Sequence, residues 1–289
     1  MMNTNAKALI MHARKNGYAI GAFNAANTET IKAITQAAKK LNSPVILEAS
    51  DGEVNYIGMA QLVAIKKIYQ EELNIPIILN LDHGKDFDAC KSAIEAGFDY
   101  IHFDGSKFAF EENIKICTEV VKLAHAKGLP VEGEFTHIAG SSADHTKEDA
   151  TQFNKAEYYT NPEQAKEFVA KTGVDVLASF IGNSHGIYAT EKRLDLNVFK
   201  KITEALPNTL FSLHGGSGIH DDDVRAAIKM GIVKVNINSE MRIAFKMTLQ
   251  QSINASNEIA IYKITPDAIK AVQDVVERKI KLFGSANEA

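Results

Sequence analysis

The chain has 289 residues, of which 45% are hydrophobic and 24% charged, and its formal net charge is −4 at pH 7. This balance supports a sizeable folded core, excludes a wholly disordered chain, and offers no basic face for nucleic acid or an anionic membrane. Two cysteines cannot form a disulfide framework, and the sequence shows neither an apolar run long enough to cross a bilayer nor a signal-peptide core, so we expect a cytoplasmic protein.

Short apolar runs alternate with amphipathic segments along the whole chain. Eight runs rich in Val, Ile, Leu or Phe are predicted to be strands buried on both faces, at residues 19–23, 44–49, 76–81, 100–103, 130–135, 176–181, 209–213 and 233–237. Eight helical patterns follow them, at residues 28–41, 59–72, 86–96, 111–127, 162–172, 195–205, 221–230 and 240–253. Eight strand–helix pairs predict an α/β protein with a (β/α)8 TIM-barrel fold. A doubly wound open sheet is the alternative, but the turn after the first strand has no glycine fingerprint for a dinucleotide.

Two segments depart from short connections. Residues 136–160 form a long polar segment after the fifth strand, which we interpret as an active-site loop. Residues 253–289 form a C-terminal helical extension with a predicted helix at 266–283. Because no linker interrupts the pattern, residues 1–289 are predicted to be a single domain.

Three histidines stand directly behind predicted strands, where a barrel gathers its chemistry: His83, His185 and His214, each followed by glycine. Imidazoles that converge on one point favour a divalent metal, zinc in particular. Asp104 and Glu134 are alternative ligands, or partners that orient the imidazoles. The remaining histidines lack this placement, and we interpret them as structural or solvated: His12, His102, His125, His137, His145 and His220.

A phosphate site is predicted at the last two strand ends. The Gly-Gly-Ser-Gly stretch at residues 215–218 and the turn of Asn238 and Ser239 before a helix are typical of the phosphate-binding corner of barrels. Asp82, beside the predicted metal, is placed either to move a proton at a substrate hydroxyl or only to orient its neighbours.

A metal, a phosphate site and a carboxylate base together indicate a reaction through an enediolate of a phosphorylated sugar. Aldol cleavage, isomerisation and phosphoester hydrolysis all fit this description. Two rivals stay open: a Schiff-base enzyme that uses Lys107 or Lys234 as its nucleophile, and a metal- and phosphate-binding homologue without catalysis.

Seven segments in order carry a family resemblance: residues 18–24, 81–84, 103–106, 131–134, 181–188, 213–218 and 234–240. At these residues the sequence resembles the class II, metal-dependent aldolases of fructose-1,6-bisphosphate and tagatose-1,6-bisphosphate. The resemblance implies a Zn²⁺ enzyme that reversibly cleaves a ketose 1,6-bisphosphate, with fructose-1,6-bisphosphate as the first candidate substrate. It also implies a homodimer or homotetramer. The products would be dihydroxyacetone phosphate and glyceraldehyde 3-phosphate, as in glycolysis.

The resemblance also implies roles for individual residues. The zinc ligands would be His83, His185 and His214, while Glu134 and Asp104 would mark a second metal position. Asp82 would be the acid/base at the hydroxyl on substrate carbon 4. The dihydroxyacetone-phosphate end, with a monovalent cation near its phosphate, would lie against Gly186, Gly215, Ser217, Asn236, Asn238 and Ser239.

Three departures from the family pattern concern the substrate. Ser142 stands where the family has a loop glutamate for proton transfer, which leaves Asp144 or His137 as candidates. Ala189 follows the tyrosine of the His-Gly-x-Tyr motif, as in the tagatose type. An arginine segment associated with the distal phosphate has no counterpart around residues 261–263. Tagatose-1,6-bisphosphate or another ketose phosphate is therefore the alternative substrate.

Overall fold

A computed structural model describes residues 5–153 and 155–289. Its strands pair in parallel. In chain order the strands are β1 (Ile20–Asn24), β2 (Val45–Ala49), β3 (Ile77–Gly84), β4 (Tyr100–Asp104), β5 (Val131–Glu134), β6 (Gly140–His145), β7 (Val176–Ala178), β8 (His185–Tyr188), β9 (Leu210–Leu213) and β10 (Ile232–Ile237). All but β6 and β8 form one closed barrel, in the order β1-β10-β9-β7-β5-β4-β3-β2.

Closure is visible at Ala22 of β1, which pairs with Ile46 of β2 on one side and with Asn236 of β10 on the other. A sheet with no free edge is a barrel, so the predicted (β/α)8 fold is confirmed and the open sheet is excluded. The two remaining strands, β6 and β8, pair with each other outside the barrel.

Helices surround the barrel and agree with the predicted ones to within two residues at each end. In chain order they are α1 (Ala6–Asn16), α2 (Thr28–Lys40), α3 (Asp51–Ile57), α4 (Met59–Leu73), α5 (Phe87–Ala96), α6 (Phe110–His125), α7 (Pro162–Thr172), α8 (Leu196–Ala205), α9 (Asp221–Met230), α10 (Ser239–Ala255), α11 (Ile261–Ile264) and α12 (Pro266–Phe283). Local chemistry sets their starts: the Asn161 side chain, for example, accepts from the Glu163 and Gln164 amides at the start of α7. None of these helices is both long and apolar enough to span a membrane.

The long segment at residues 136–160 contains β6 and two 3-10 turns, Ala150–Phe153 and Ala156–Tyr158. Three helices, α1, α3 and the four-residue α11, were not predicted. Ile10 and Ala13 of α1 pack against Ile20, Ile46 and Ile78 from the strands, so α1 closes the amino-terminal end of the barrel.

A buried ionic layer lies within the barrel, above this apolar floor. The Lys234 ammonium of β10 lies 2.9 Å from a carboxylate oxygen of Glu48 and 2.9 Å from one of Glu132, and all three side chains are fully buried. The Tyr100 hydroxyl also donates to Glu132, at 2.9 Å. The predicted site residues lie beyond this layer, at the carboxyl ends of the strands.

Candidate active site

The three predicted histidines meet at the carboxyl end of the barrel. The ring centre of His83 lies 5.3 Å from that of His185 and 4.8 Å from that of His214, and the latter two are 6.0 Å apart. His83 has a backbone φ of 51°, a left-handed conformation that is strained for a non-glycine residue. Its amide donates to Nδ1 of His102 at 3.1 Å, which helps to hold that conformation.

Carboxylates orient two of the rings. Nδ1 of His83 lies 2.8 Å from Asp104, and Nε2 of His214 lies 2.6 Å from Glu132. A ring nitrogen that donates to a carboxylate leaves the lone pair on the other nitrogen free, the arrangement usual for metal-binding histidines. Burial lowers the pKa of His214 to about 3 and that of His185 well below its usual value, so both rings are neutral, as ligands must be.

The buried polar atoms beside these rings fit a metal. Oε2 of Glu134 lies 3.3 Å from Nε2 of His102, yet neither atom makes a well-oriented hydrogen bond. Candidate ligand atoms lie within 4.8 Å of one another in two overlapping groups, which are Asp82, His83, His102 and His214, and His83, Asp104 and Glu134. A buried carboxylate oxygen without a hydrogen-bond partner, together with the imidazoles around it, forms a set of ligands that suits a divalent cation.

His102 belongs to this cluster, although we had interpreted it as structural or solvated. It is fully buried, and its ring centre lies 4.7 Å from those of both His83 and His214. Its burial excludes a solvated histidine, and we did not single it out from the sequence because only strand ends were considered. Since His102 is two residues before Asp104 on β4, the two side chains share the inward face of the strand, and this alternation could have identified it.

Asp82 is a buried, ionised carboxylate at the edge of the histidine cluster. Its carboxylate is buried and accepts from Nδ2 of Asn24 at 3.2 Å and from Nδ2 of Asn236 at 3.4 Å. Burial raises the pKa of Asp82, but the neighbouring imidazoles, with His83 foremost, and Lys234 lower it well below the usual value. The group is therefore ionised and able to accept a proton.

A cavity of about 150 Å³ opens beside Asp82. Nine of the predicted site residues line it: Asp82, His83, His185, Gly186, Gly215, Ser217, Asn236, Asn238 and Ser239. The other three, His214, Glu134 and Asp104, are not part of its lining and belong to the cluster around His83. The predicted metal ligands and the predicted phosphate residues thus lie close together, although His185 is in neither group of converging ligand atoms and is joined to them by its ring, 5.3 Å from that of His83.

The side of the cavity predicted to bind phosphate is built largely from backbone. Asn238 stands at the start of the 17-residue helix α10 without capping it through its side chain, and the Ser217 hydroxyl accepts from the Glu240 amide in the first turn at 3.4 Å. A helix start of this kind can bind an anion through its remaining amides. Gly215 has φ of 59°, and a side chain there would collide with the carbonyls of Asn183 and Ser184. Glycine is therefore required where the two loops approach each other.

The cavity is also lined by Ser50, Ser142 and Arg242, of which Ser50 and Arg242 were not predicted. Arg242 donates to the backbone carbonyl of Ser142 at 3.0 Å and to Glu53 at 3.0 Å. A spacing of three residues from Ser239 puts Arg242 on the same side of α10, a signal available in the sequence. His137 and Asp144, the candidates for the missing loop glutamate, do not line this cavity.

Neither lysine of the Schiff-base alternative is suited to that role. Burial lowers the pKa of Lys234, but Glu132 and Glu48 outweigh burial and raise the pKa above its usual value. A nucleophilic amine needs the opposite shift. Lys107 is exposed and does not line the cavity.

Known proteins resemble this chain along its whole length. The family model for class-II fructose-bisphosphate aldolase matches residues 4–288. A fructose-bisphosphate aldolase of Streptococcus pneumoniae is 40% identical, with all of both chains covered. A sulfofructosephosphate aldolase of Alkalicoccus urumqiensis is 35% identical, with 100% of this chain and 99% of the relative covered. The crystal structure of the YdjI aldolase of Escherichia coli K12 covers all of both chains at 31% identity, with a TM-score of 0.84. On this evidence the chain belongs to the class II fructose-bisphosphate aldolase family, whose members are metal-dependent lyases.

Proposed function

We propose that this protein is a zinc-dependent aldolase of the cytoplasm that reversibly cleaves a ketose 1,6-bisphosphate, with fructose-1,6-bisphosphate the first candidate. The products would be dihydroxyacetone phosphate and glyceraldehyde 3-phosphate. The observation that carries the proposal is that one cavity is lined by His83, His185, an ionised Asp82 and the residues predicted to bind phosphate, with the ring of His214 4.8 Å from that of His83. Each feature alone has a structural explanation, but their meeting at the catalytic end of a barrel favours chemistry on a sugar phosphate.

The metal would be held by His83, His185 and His214, with Asp104 and Glu134 as a second position beside His83. When bound, Zn²⁺ supplies a Lewis acid that polarises the ketose carbonyl and stabilises the negative charge that develops on its oxygen.

The chain's own groups would do the rest. The backbone at Gly186 and Gly215, the Ser217 hydroxyl and the start of α10 at Asn238 and Ser239 would bind the phosphate of the dihydroxyacetone end. Asn236 would contact the same moiety, since it lines the cavity between this anion site and Asp82. Asp82 would take the proton from the hydroxyl on carbon 4 as the bond between carbons 3 and 4 breaks.

Another ketose phosphate is the second candidate, tagatose-1,6-bisphosphate among them. Arg242 lines the cavity, but its charge is already paired with Glu53. Its guanidinium is therefore not free to pair with a second phosphate. One relative is named a sulfofructosephosphate aldolase, so the relatives include an enzyme named for a substrate other than fructose bisphosphate.

The test is cleavage of a panel of substrates by purified protein: fructose-1,6-bisphosphate, tagatose-1,6-bisphosphate and sulfofructose phosphate. Each is assayed with EDTA and after addition of zinc. We expect turnover that EDTA abolishes and zinc restores, and the ratio of kcat/KM values will identify the sugar. Zinc-loaded protein that binds these compounds without turnover would instead indicate a non-catalytic homologue, and turnover insensitive to EDTA would refute the metal mechanism.

We also propose a homodimer or homotetramer. Ile259, Ile261 and Tyr262 are 89, 66 and 77% exposed, an apolar surface suited to contact with another protein chain. Light scattering of the purified protein tests the oligomeric state, and a monomer at micromolar concentration would refute it.

A further inference from the structure

Lys192 is a buried lysine that the proposed chemistry does not use. Its side chain is 2% exposed, and its Nζ lies 2.6 Å from the backbone carbonyl oxygen of Ser184, 3.1 Å from that of Gly186 and 2.5 Å from that of Gly215. Three N–H bonds meet three carbonyl acceptors, so the ammonium is fully hydrogen-bonded. Its backbone is fixed as well, because its amide donates to Gly218 at 3.0 Å.

The charge on Lys192 is compensated by backbone dipoles. Within residues 5–153 and 155–289, no carboxylate forms an ion pair with it. Burial lowers the pKa of Lys192 to about 7, while the charge of Glu240 raises it. A neutral amine has two N–H bonds and would leave one of the three carbonyls without a donor, so this geometry favours the ammonium.

The three carbonyls belong to the segments that form the proposed anion side of the cavity: Ser184 precedes β8, Gly186 lies in β8, and Gly215 follows β9. Ser184 and Gly186 flank His185, and Gly215 follows His214. The ammonium therefore joins the loop before β8 to the loop after β9. Backbone carbonyl oxygens that converge on one point are also the ligands by which proteins replace the water shell of a monovalent metal ion.

We propose that the Lys192 ammonium is a resident cation of the anion site, filling a carbonyl cage that would otherwise take K⁺ or Na⁺. The inference rests on the proposed function, because it takes the Gly186 and Gly215 loops to bind phosphate. It also corrects our expectation of a separate monovalent cation near the phosphate: the residues present leave that place to Lys192. The aldolase then needs no monovalent salt.

The experiment compares wild-type protein with Lys192→Ala, which opens space for an ion, and Lys192→Met, which fills the space without charge. Lys201→Ala, at an exposed lysine of α8, is the control. Each zinc-loaded protein is studied in chlorides of K⁺, Na⁺, NH₄⁺ or tetramethylammonium at equal ionic strength. The readouts are the Kd for inorganic phosphate by titration calorimetry and the Tm by scanning calorimetry.

We expect wild-type and control protein to give the same Kd and Tm in all four salts. In tetramethylammonium, Lys192→Ala should bind phosphate roughly tenfold or more weakly, the loss of a charged hydrogen-bonding group. K⁺ or NH₄⁺ should restore binding and raise the Tm in a saturable way, as a ligand of the folded state does. Lys192→Met should show the loss without the rescue.

Three results would overturn the inference: a wild-type Kd or Tm that responds to K⁺ or Na⁺, an alanine variant that matches wild type in tetramethylammonium, or a loss that no small cation relieves. If Lys192→Ala fails to fold, the Kd and Tm series of wild-type protein and of Lys192→Met still test the inference. Failure of wild-type protein to bind phosphate would refute the proposed anion site instead, and the Tm series would still test Lys192 alone.

Discussion

Replacement of Lys234 by methionine removes a fully buried ammonium that lies 2.9 Å from each of two buried carboxylates, Glu48 and Glu132. Burial raises the pKa of Glu48 to about 7, so this group can take up a proton near neutral pH. The pKa of Glu132 is held well below its usual range, with Lys234 the foremost of the groups that oppose the effect of burial. The variant therefore leaves Glu132 as a buried charge without its main counterion.

Removal of one partner from a buried ion pair costs about 3–5 kcal/mol. For 289 residues, an unfolding entropy of roughly 0.6 kcal/mol per kelvin converts this loss to about 5–8 °C in Tm. Scanning calorimetry of metal-free Lys234→Met measures it, with Lys200→Met, 68% exposed on α8, as the matched control. Adding Glu132→Gln to Lys234→Met should recover part of the loss, because the uncompensated charge is then gone.

A loss below about 1 kcal/mol in Lys234→Met would refute this reasoning, since an ion pair in contact with solvent is worth no more than that. The same lysine bears on mechanism. We expect no substrate adduct on Lys234 after borohydride treatment of wild-type protein with substrate, and an adduct there would restore the Schiff-base alternative.

The remaining predictions concern the metal, the proton and the effect of pH. Asp82→Ala should keep its zinc and lose about two to four orders of magnitude in kcat, whereas His83→Ala should lose zinc and activity together. Metal analysis beside the cleavage assay separates the two effects. Wild-type activity in Asp82→Ala would refute the proposed role of Asp82. Glu132→Gln should weaken zinc binding by roughly 10- to 100-fold in a chelator competition, because the carboxylate orients a predicted ligand. Burial raises the pKa of Asp175, but hydrogen bonds from the Lys7 ammonium, a backbone amide and a histidine outweigh it and lower the pKa below the usual 3.8. A lowered pKa adds stability that is present above pH 3.8 and lost as the pH falls below it, so Asp175→Asn should flatten the acid limb of the unfolding free energy measured in urea; an unchanged limb would contradict this.

The barrel was predictable because its signals are local. Buried parallel strands such as residues 76–81 are mostly apolar runs, and many helices start or end at ordinary capping residues such as Asn27 and Gly97. In barrels, functional residues lie at the carboxyl ends of the strands. This rule predicts that His83, His185 and His214 lie close together, although no distance is known from the sequence.

The rest of the site depends on contacts between distant parts of the chain. Glu132 orients His214 across 82 residues, and Lys192 reaches carbonyls in two loops. No periodicity in the sequence reports which backbone oxygens a lysine will meet. The helix α1 was missed for a related reason: its apolar face covers the barrel floor, a surface that exists only after the strands have closed.

The pairing of β6 with β8 has a consequence for redesign of this enzyme. Gly140 of the long loop pairs with His185, and the His185 amide donates to the carbonyl of Ala139 at 2.7 Å. A graft that replaces this loop to admit a bulkier aldehyde would therefore also alter the backbone that carries an imidazole. Libraries aimed at new carbon–carbon bonds should vary the loop beyond residue 145 and leave its first half intact, or be screened for metal content before they are screened for product.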